Sequence, residues 1–540
     1  MNDTIGSTTP HHLLSLRAWA RREWRAPLAA AAVTLALIAT TWPAAIRVGV
    51  FYDDAIYADL ARALAQGDGY RHESLPGRPI GVHYPPLYPA WVAVWWWVAD
   101  ALGARDPFVA ARVGNVLLAA LAAALWTLWG TRRLGLDARL AAGVAALCMI
   151  VRPSRLVIDI LYSEPFAWVL LALALLAQPA PASPERAGRR RRWVLESLLL
   201  GLLPVARTIL LPFAAAAIIW RTEAQGRSAT RRLAAAVLIL GPTILWSLWV
   251  RKYQAQIPSA WGGNYGAYGA PWLAAIESWG QLRGLIALQL GELMRAFAGL
   301  FDFTTGIAVA CIGIGLATLH RTQPWALWGT LGYAGILTVW PGTPSRFVTG
   351  LLPLLFLCGA RGGVLVVNRL RAVPRARLLA PAVVLLPIVL CLAITMRNYR
   401  SLDWVGWWRR SGANYLPVIE WSRALPPGVP VVTEADGLFA LATGRPTAPA
   451  LPWDPLRYVG RARPAERVME ASLCAVGDGW VVTVAEHREA GKALQTLLAE
   501  RAGRVRFDSV TRLGHRAIAA HFACDGANDS DGRGAATRTR

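Results

Sequence analysis

Long apolar runs recur along much of the chain and restrict it to folds that cross a lipid bilayer. The runs lie at 28–48, 109–130, 140–156, 163–178, 194–206, 208–220, 233–250, 303–319, 325–340, 347–366 and 378–396. A straight transmembrane helix needs about 20 apolar residues, and several of these runs are shorter. The pattern predicts an all-α polytopic membrane protein with about 11–13 transmembrane helices, contained within residues 28–396.

The composition agrees with this class of protein. Hydrophobic residues make up 55% of the 540 residues and charged residues only 16%, whereas a soluble domain has about 25% charged residues. The 26 tryptophans suit aromatic belts at the two membrane interfaces. A net charge of +23 is also typical of nucleic-acid binders. Here, however, the arginines cluster in short loops and form no stripe interleaved with aromatic residues, so we expect no nucleic-acid partner.

The arginine clusters predict the orientation in the membrane, because short cytoplasmic loops are enriched in Arg and Lys. The clusters are Arg132, Arg133 and Arg139; Arg186, Arg189, Arg190, Arg191 and Arg192; Arg221, Arg227, Arg231 and Arg232; and Arg369, Arg371, Arg375 and Arg377. Placing them in the cytoplasm, together with a basic N-terminus at 1–27, puts 49–108, 152–162, 251–300, 341–346 and the tail from 397 on the far side.

Two segments do not fit this alternation simply. Residues 87–103 are apolar and Trp-rich but lie between two far-side loops. We interpret them as a helix in the outer interface or a re-entrant helix, with an ordinary span as the alternative. The runs 194–206 and 208–220 are broken around Pro204 and Arg207, which leaves either a short hairpin or one irregular span.

The tail changes character after residue 396. Strand-like patterns, VPVVTEAD at 429–436 and GWVVTVAEH at 479–487, alternate with helical ones such as 488–503, which predicts an extramembrane α/β domain over 397–524. The polar residues 525–540 are predicted to be disordered. Cys474 and Cys524 both fall in this domain, and they form either a disulfide or two unpaired thiols.

The first far-side loop opens with two adjacent carboxylates, Asp53 and Asp54, before the helical pattern IYADLARALAQ, which ends at Gly67. A structural explanation makes one aspartate a helix N-cap, favoured by the helix dipole. A functional explanation makes one of them a general base that takes a proton from a hydroxyl group, with its neighbour orienting the acceptor. The residues alone leave both explanations open.

The stretch FYDDAIYADLARALAQGDGY, followed by HYPPLYP, resembles the first outer loop of the GT-C superfamily. These membrane glycosyltransferases use polyprenyl-phosphate sugars as donors and include protein O-mannosyltransferases and lipid A aminoarabinose transferases. The resemblance implies that Asp53 or Asp54 is the catalytic base. His83 and Tyr84 precede the Pro-Pro-Leu turn, where the aminoarabinose transferases carry a lysine, and are implied to bind substrate.

Three further segments resemble the family in order. IDILYSEPFAWVLLAL implies substrate contacts by Asp159 and Glu164, although Glu164 is also a favourable charge at a helix N-terminus. LLPVARTILLP implies that Arg207 faces the site. SRFVTGLLPLL implies that Arg346 binds the donor phosphate, with a snorkelling interface arginine as the alternative. Lys252 is a further cation that could offset the charge of the leaving phosphate.

The resemblance implies an inverting glycosyl transfer from a polyprenyl-phosphate sugar to a hydroxyl group at the outer face of the inner (plasma) membrane. We expect membrane lipids as surroundings and a glycan, lipid or protein as acceptor. A divalent cation could bind at Asp53 and Asp54, although no metal-ligand spacing, P-loop or dinucleotide fingerprint requires a cofactor. The Gly-rich aromatic loop 253–272 is interpreted as a mobile cover or sugar platform, with a flexible interface loop as the alternative.

Two other functions remain alternatives. A transporter or flippase of a lipid-linked substrate would use Arg207 to line a pathway. It would also place its polar residues in two matching halves, and the sequence contains no such repeat. A lipid-linked polymerase or ligase would share the donor chemistry but not the acidic pair.

Overall fold

The structure of the protein is a computed structural model. The structure describes residues 11–42, 48–104, 106–178, 186–223, 229–268, 276–374, 377–378, 380–401, 406, 412–484, 488–500, 503–514 and 517–525. The end of the first apolar run and residues 526–540 of the predicted disordered tail lie outside these ranges.

Helices dominate the chain up to Ser401. They are α1 His11–Thr40, α2 Asp53–Gln66, α3 Leu87–Ala101, α4 Pro107–Leu134, α5 Ala138–Ile150, α6 Arg152–Asp159, α7 Glu164–Ala177, α8 Arg186–Ala206, α9 Leu211–Glu223, α10 Ala229–Tyr253, α11 Gly262–Tyr265, α12 Trp279–Phe301, α13 Thr305–Thr322, α14 Pro324–Val339, α15 Pro344–Val348, α16 Leu352–Arg371 and α17 Ala380–Ser401. Short 3-10 turns at Thr208–Leu210, Gln254–Gln256, Ser259–Trp261, Asp302–Thr304 and Thr349–Leu351 link some of them.

Local sequence signals set several of these boundaries. Asp106 and Asp137 accept hydrogen bonds from the first turns of α4 and α5, and Ser278 and Gln281 form a capping box on α12. Helices α5 and α6 meet at a 61° bend. Pro153, in the first turn of α6, has no N–H for a helical hydrogen bond, which explains why the helix restarts there.

The helical part contains several segments that are long and apolar enough to cross a membrane. Among the described residues these are Pro107–Leu134, Arg232–Gln256, Trp279–Thr322, Pro344–Arg371 and Ala380–Ser401, or six spans if the bent α5–α6 pair counts as one. Shorter apolar helices lie at Glu164–Ala177, Trp193–Ala206 and Thr208–Trp220. The polytopic all-α membrane fold is confirmed, whereas the count of 11–13 spans stays a prediction.

Helix α4 lies at the centre of the bundle, where it packs against α1, α3, α5 and α7. Trp126 and Trp129 of α4 are fully buried, and their indole N–H groups donate to the Trp168 carbonyl (3.1 Å) and to Gln323 Oε1 (2.7 Å). Burying an indole ring is favourable when its N–H finds a partner. These tryptophans therefore belong to the core rather than to the aromatic belts that the composition suggested.

Three segments sharpen or change the sequence-based topology. The break between α8 and α9 falls at Arg207, which is extended (φ −158°, ψ 112°), and Pro204 stays inside α8. The predicted outer loop 251–300 contains the 23-residue helix α12, whose polar residues dilute its hydropathy. Helix α3 has 15 residues, roughly 22 Å long and shorter than the hydrocarbon core, so the interfacial placement of 87–103 remains our prediction.

The C-terminal part is the predicted α/β fold. Its helices are α18 Leu416–Arg423, α19 Asp436–Thr443, α20 Ala465–Val476 and α21 Arg488–Ala499, its strands are β1 Val431–Thr433, β2 Thr447–Pro449, β3 Asp478–Val484, β4 Val505–Leu513 and β5 Ala517–Cys524, and a 3-10 turn lies at Pro455–Val459. The strand order is β2-β1-β3-β5-β4. Strands β2, β1 and β3 run parallel, whereas β5 is antiparallel to β3 and β4, with a bulge between Phe507 and Ser509.

A disulfide joins Cys474 at the end of α20 to Cys524 at the end of β5, which decides between the two alternatives that the sequence left open. It fixes one helix of the domain to the sheet across a sequence separation of 50 residues. The other four cysteines are buried among apolar helices, as expected for packing residues.

Candidate active site

A cavity of about 910 Å³ lies between the helical part and the C-terminal α/β domain. The helical part contributes Phe51, Tyr52, Asp53, His83, Tyr84, Tyr162, Trp340, Arg346 and Phe347, among others, and the α/β domain contributes Glu434, Trp453, Asp454, Arg457, Tyr458, Arg463, Arg488 and Glu489. A site of this size, built from convergent polar groups and aromatic rings, is a typical ligand-binding site.

Asp53 is the carboxylate of the first loop that lines this cavity. It is the first residue of α2 and is preceded by Tyr52, whose φ of 72° is unusual for a residue with a side chain. Its Oδ2 is paired with the guanidinium of Arg346, and its side chain is 15% exposed. Asp53 therefore combines access to the cavity with a cation beside it.

Asp54 has a different environment. It is completely buried, and its two oxygens accept hydrogen bonds from the backbone N–H groups of Gly49 (2.7 Å), Phe51 (3.1 Å) and Ala55 (3.0 Å). Burial raises the pKa of Asp54 to about 7, against the effect of these N–H donors. Asp54 thus shapes the turn that carries Asp53. Tyr52, rather than either aspartate, occupies the N-cap position, while Gly67 (φ 83°) caps the C-terminus as predicted.

Arg346, Glu164 and Arg207 continue the charge network inward from Asp53. Arg346 Nε lies 3.9 Å from Glu164 Oε1, and Arg207 Nη1 lies 2.5 Å from the same oxygen. Glu164, in the first turn of α7, is fully buried, which agrees with the helix-terminus explanation. Neither Glu164 nor Arg207 lines the cavity itself, so their contacts with substrate stay predictions. Two carboxylates and two guanidiniums balance each other here, which compensates for much of the cost of burying them.

Aromatic rings pack on the two arginines. The guanidinium of Arg346 lies 4.2 Å from the Tyr162 ring centroid, and Arg346 Nη1 donates to the Tyr162 hydroxyl (3.3 Å). The guanidiniums of Arg346 and Arg207 lie 5.3 and 5.4 Å from the Phe347 ring centroid. Such contacts favour cations in a partly desolvated site. They hold both guanidiniums in place beside the cavity.

His83 and Tyr84 also line the cavity. His83 Nδ1 donates to the Gly266 carbonyl (2.5 Å), and its ring lies 4.0 Å from that of Tyr268 in the predicted cover loop. Burial lowers the pKa of His83 to about 4, so its imidazole is neutral at pH 7. Tyr84 packs 4.5 Å from the ring of Tyr57. Residues 269–272 of the cover loop lie outside the described part of the chain.

Two predicted site residues are not brought to this network. Asp159 is buried in an ion pair with Arg155 (3.0 Å), whose guanidinium also donates to the carbonyls of Ile38 and Thr41 near the end of α1. Lys252 is exposed, and its Nζ lies 5.1 Å from the Tyr253 ring centroid. Neither residue lines the cavity, and their roles in substrate binding stay predictions.

The turn that carries Asp53 rests on the α/β domain. Tyr52 packs against Tyr265 (6.0 Å between ring centroids), and the Tyr265 hydroxyl donates to buried Asp436 of α19 (2.5 Å). A Cβ at Gly437 would overlap the Ala55 side chain, so only glycine allows this approach. The position of the candidate base therefore depends on contacts with the C-terminal domain.

Several cavity residues were not predicted from the sequence. Tyr162 and Phe347 stand in the same motifs as predicted site residues. An aromatic residue near a charged one in such a motif could have identified them as cavity residues. Glu434 directly follows β1, and its Oε1 accepts a hydrogen bond from the Val484 N–H (3.3 Å). A carboxylate just after a parallel strand is a useful signal, because ligands gather at that edge of a sheet.

The acidic pair does not fit a divalent cation. Asp54 directs both oxygens to backbone N–H groups, and Asp53 faces the Arg346 guanidinium. Within the described ranges, no group of three or more His, Cys, Asp or Glu side chains could hold a metal ion. We therefore derive no step through a metal at Asp53 and Asp54.

The architecture combines a helical membrane part, a first loop with a carboxylate in a cavity, and a C-terminal α/β domain over that cavity. Solved structures of ArnT and AglB share this fold, so the fold that the sequence resemblance implied is confirmed. No protein-family model and no curated protein matches the chain.

Solved structures with this fold cover most of the chain. ArnT from Cupriavidus metallidurans in the apo state gives a TM-score of 0.53 at 14% identity over 91% of this chain and 97% of that one. The same enzyme bound to undecaprenyl phosphate gives 0.50 at 15% identity over the same shares. The archaeal oligosaccharyltransferase AglB from Archaeoglobus fulgidus, in complex with an inhibitory peptide and a dolichol-phosphate, gives 0.50 at 12% identity over 86% and 70%. These TM-scores show a common fold.

Proposed function

We propose that the protein is an inverting glycosyltransferase that moves a sugar from a polyprenyl-phosphate donor to a hydroxyl acceptor at the outer face of the membrane. The observation that carries the proposal is the Asp53 carboxylate beside the Arg346 guanidinium in the cavity. The fold supports it, because structures with this fold hold undecaprenyl phosphate and dolichol-phosphate. This pairing supplies a proton acceptor and a phosphate ligand in one site.

Asp53 is the better candidate for the base. It lines the cavity, whereas every oxygen of Asp54 is occupied by backbone donors. An aspartate is normally ionised at neutral pH and can accept a proton from a positioned hydroxyl group. Asp54 stabilises the turn through these hydrogen bonds, so the two adjacent carboxylates have different roles.

The transfer then proceeds in one displacement. The acceptor oxygen attacks the anomeric carbon, its proton passes to Asp53, and the bond from that carbon to the phosphate oxygen breaks with its electron pair on polyprenyl phosphate. Arg346 would bind the phosphate oxygens, and Arg207 neutralises the Glu164 carboxylate behind it. Attack opposite the leaving group inverts the anomeric centre, and no covalent enzyme intermediate forms.

The outer-face location has two supports. The Cys474–Cys524 disulfide suits an oxidising compartment, which supports a location of the α/β domain outside the cytoplasm. The basic N-terminus and arginine-rich loops suit the cytoplasmic side. We propose the inner (plasma) membrane of a cell envelope as the site of action.

The test is transfer of radiolabelled sugar from a panel of polyprenyl-phosphate hexoses, including mannose, and pentoses, using purified wild-type protein and single variants. Asp53→Asn should lower the turnover by about 10²–10⁴-fold, the usual contribution of a general base. Asp100→Asn, an exposed carboxylate of the same outer loop, is the matched control and should keep the wild-type rate. Asp54→Asn should lower thermal stability as well as rate.

Two results would reject the proposal. If Asp53→Asn and Asp54→Asn both transferred sugar at the wild-type rate, neither aspartate would be the general base. Movement of the labelled lipid across proteoliposomes without any transfer would indicate the transporter or flippase alternative.

A further inference from the structure

The carboxyl ends of three parallel strands lie at the wall of the cavity that the α/β domain forms. Thr433 of β1 pairs with Pro449 of β2 and Val482 of β3, so these strands end at one edge. The segments that follow them supply Glu434, Leu451–Asp454 and the start of α21, all of which line the cavity. Ligands of α/β sheets bind at this edge. The α/β domain therefore presents its ligand-binding edge to the catalytic cavity.

Aromatic rings cover the junction between the two parts of the protein. The Trp340 and Trp453 rings are nearly parallel (17°), with centroids 6.5 Å apart, and Tyr458 lies 6.5 Å from Trp453. The negative face of an aromatic ring attracts the slightly positive C–H groups of a sugar ring. A second cavity of about 240 Å³ shares Trp340, Trp453 and Tyr268 with the main one. The two cavities together suit a chain rather than a single small molecule.

The polar groups of this wall are arranged for neutral hydroxyl groups. Arg463 pairs with Asp454 (3.3 Å) and Arg457 with Glu489 (2.8 Å), so these two cations already have a carboxylate beside them. Half-buried Glu434 receives hydrogen bonds from Thr433 and Val484 at 3.3 Å. Side-by-side donors and acceptors match the hydroxyl groups of a carbohydrate, each of which donates and accepts.

We propose that the carboxyl edge of β1, β2 and β3, with Trp340 and Trp453, is the acceptor subsite and that it binds a carbohydrate chain whose reactive hydroxyl reaches Asp53. This inference rests on the proposed glycosyl transfer and names its acceptor class. Asp53, Glu434 and Trp453 line one continuous cavity, so an acceptor held on the α/β domain can reach the base without leaving it.

The test compares acceptors and variants in one assay. Purified wild-type protein receives the active donor together with a neutral oligosaccharide, a serine-containing peptide or a short-chain hydroxylated lipid, and labelled product is measured. We expect transfer to the oligosaccharide. Trp453→Ala and Glu434→Gln should raise its KM by about tenfold, equivalent to about 1.4 kcal/mol, with a smaller change in kcat. Trp421→Ala, which alters a ring packed on Trp480 instead of the cavity, should keep the wild-type KM.

The outcomes separate the two proposals. Transfer to the peptide or the lipid with an inert oligosaccharide would overturn the acceptor class and leave the glycosyltransferase function intact. An unchanged KM for Trp453→Ala would overturn the location of the subsite. If no acceptor receives sugar and no donor is consumed by the wild-type protein, the proposed function itself fails.

Discussion

The two walls of the cavity differ in how their charges are held. On the helical side, Glu164 and Arg207 are buried, and they form with Asp53 and Arg346 a network in which each charge faces an opposite one. On the α/β side, Arg457 and Glu489 are about half exposed. A buried network fixes geometry at a high cost for any change, whereas exposed pairs are worth little and rearrange readily. Under the proposed function, a fixed reaction centre would face an adaptable binding wall.

Breaking the helical wall should have the largest effect on stability. Arg207→Ala leaves buried Glu164 without its nearest cation, and removing one partner of a buried pair costs about 3–5 kcal/mol. The free energy of unfolding should fall by this amount in mixed-micelle denaturation. Arg295→Ala removes an exposed pair within α12 and should change it by less than about 1 kcal/mol. Equal losses for the two variants would contradict the distinction between buried and exposed pairs.

The next largest effect concerns the anchoring of the α/β wall. Cys474→Ser removes the disulfide and should lower the unfolding free energy of the domain by about 2–4 kcal/mol. Wild-type protein should lose stability on addition of a reductant, measured by its thermal midpoint. The same reductant should leave Cys474→Ser unchanged, which serves as the control. A wild-type midpoint insensitive to full reduction would rule out this contribution.

A smaller effect is expected where the two walls touch. Gly437→Ala forces a methyl group into the Ala55 side chain and should cost about 1–3 kcal/mol. Because Ala55 lies two residues after Asp53, the transfer rate should fall as well. Gly491→Ala in α21 meets no atom within 4 Å and should be neutral or slightly stabilising. If Gly437→Ala unfolds at the wild-type midpoint with full activity, the contact does not position the loop.

The smallest expected effect is a pH dependence of the α/β wall, because Glu434 is only half-buried and water weakens its contribution. Burial raises the pKa of Glu434 from 4.5 to about 8. The folded protein then holds this proton more tightly than the unfolded chain, so the stabilisation is complete below pH 4.5 and is lost as the pH rises through 8. Between these values the thermal midpoint should fall by a few degrees, and Glu434→Gln should reduce that fall. An identical pH profile for the variant would exclude Glu434 as the cause.

The sequence predicted much of the helical wall but not its connections. Asp53, Glu164, Arg207 and Arg346 stand in motifs, yet their mutual pairing joins residues up to 293 positions apart, which no local periodicity encodes. Asp159 belongs to an equally plausible motif, and only the fold shows that Arg155 occupies it. Helix α12 was missed because its polar residues interrupt the apolar run.

The α/β wall was harder to predict for another reason. Strands β1 and β3 follow alternating or β-branched patterns and fall where the sequence placed them, whereas β4 and β5 carry mixed polarity and were not identified. Which edge of the sheet faces the helical part depends on packing such as Gly437 on Ala55. Only the packing of the helical part against the α/β domain shows that Glu434 lines the cavity.

The ion pair between Asp53 and Arg346 has a kinetic consequence under the proposed function. The guanidinium that would bind the donor phosphate also neutralises the base while the site holds no donor. An incoming phosphate competes for that guanidinium and releases the carboxylate, whereas an acceptor that arrives first meets a base whose charge is already matched. Substrates would then bind in a compulsory order, donor before acceptor. The ion pair would keep the protein without bound donor from activating hydroxyl groups.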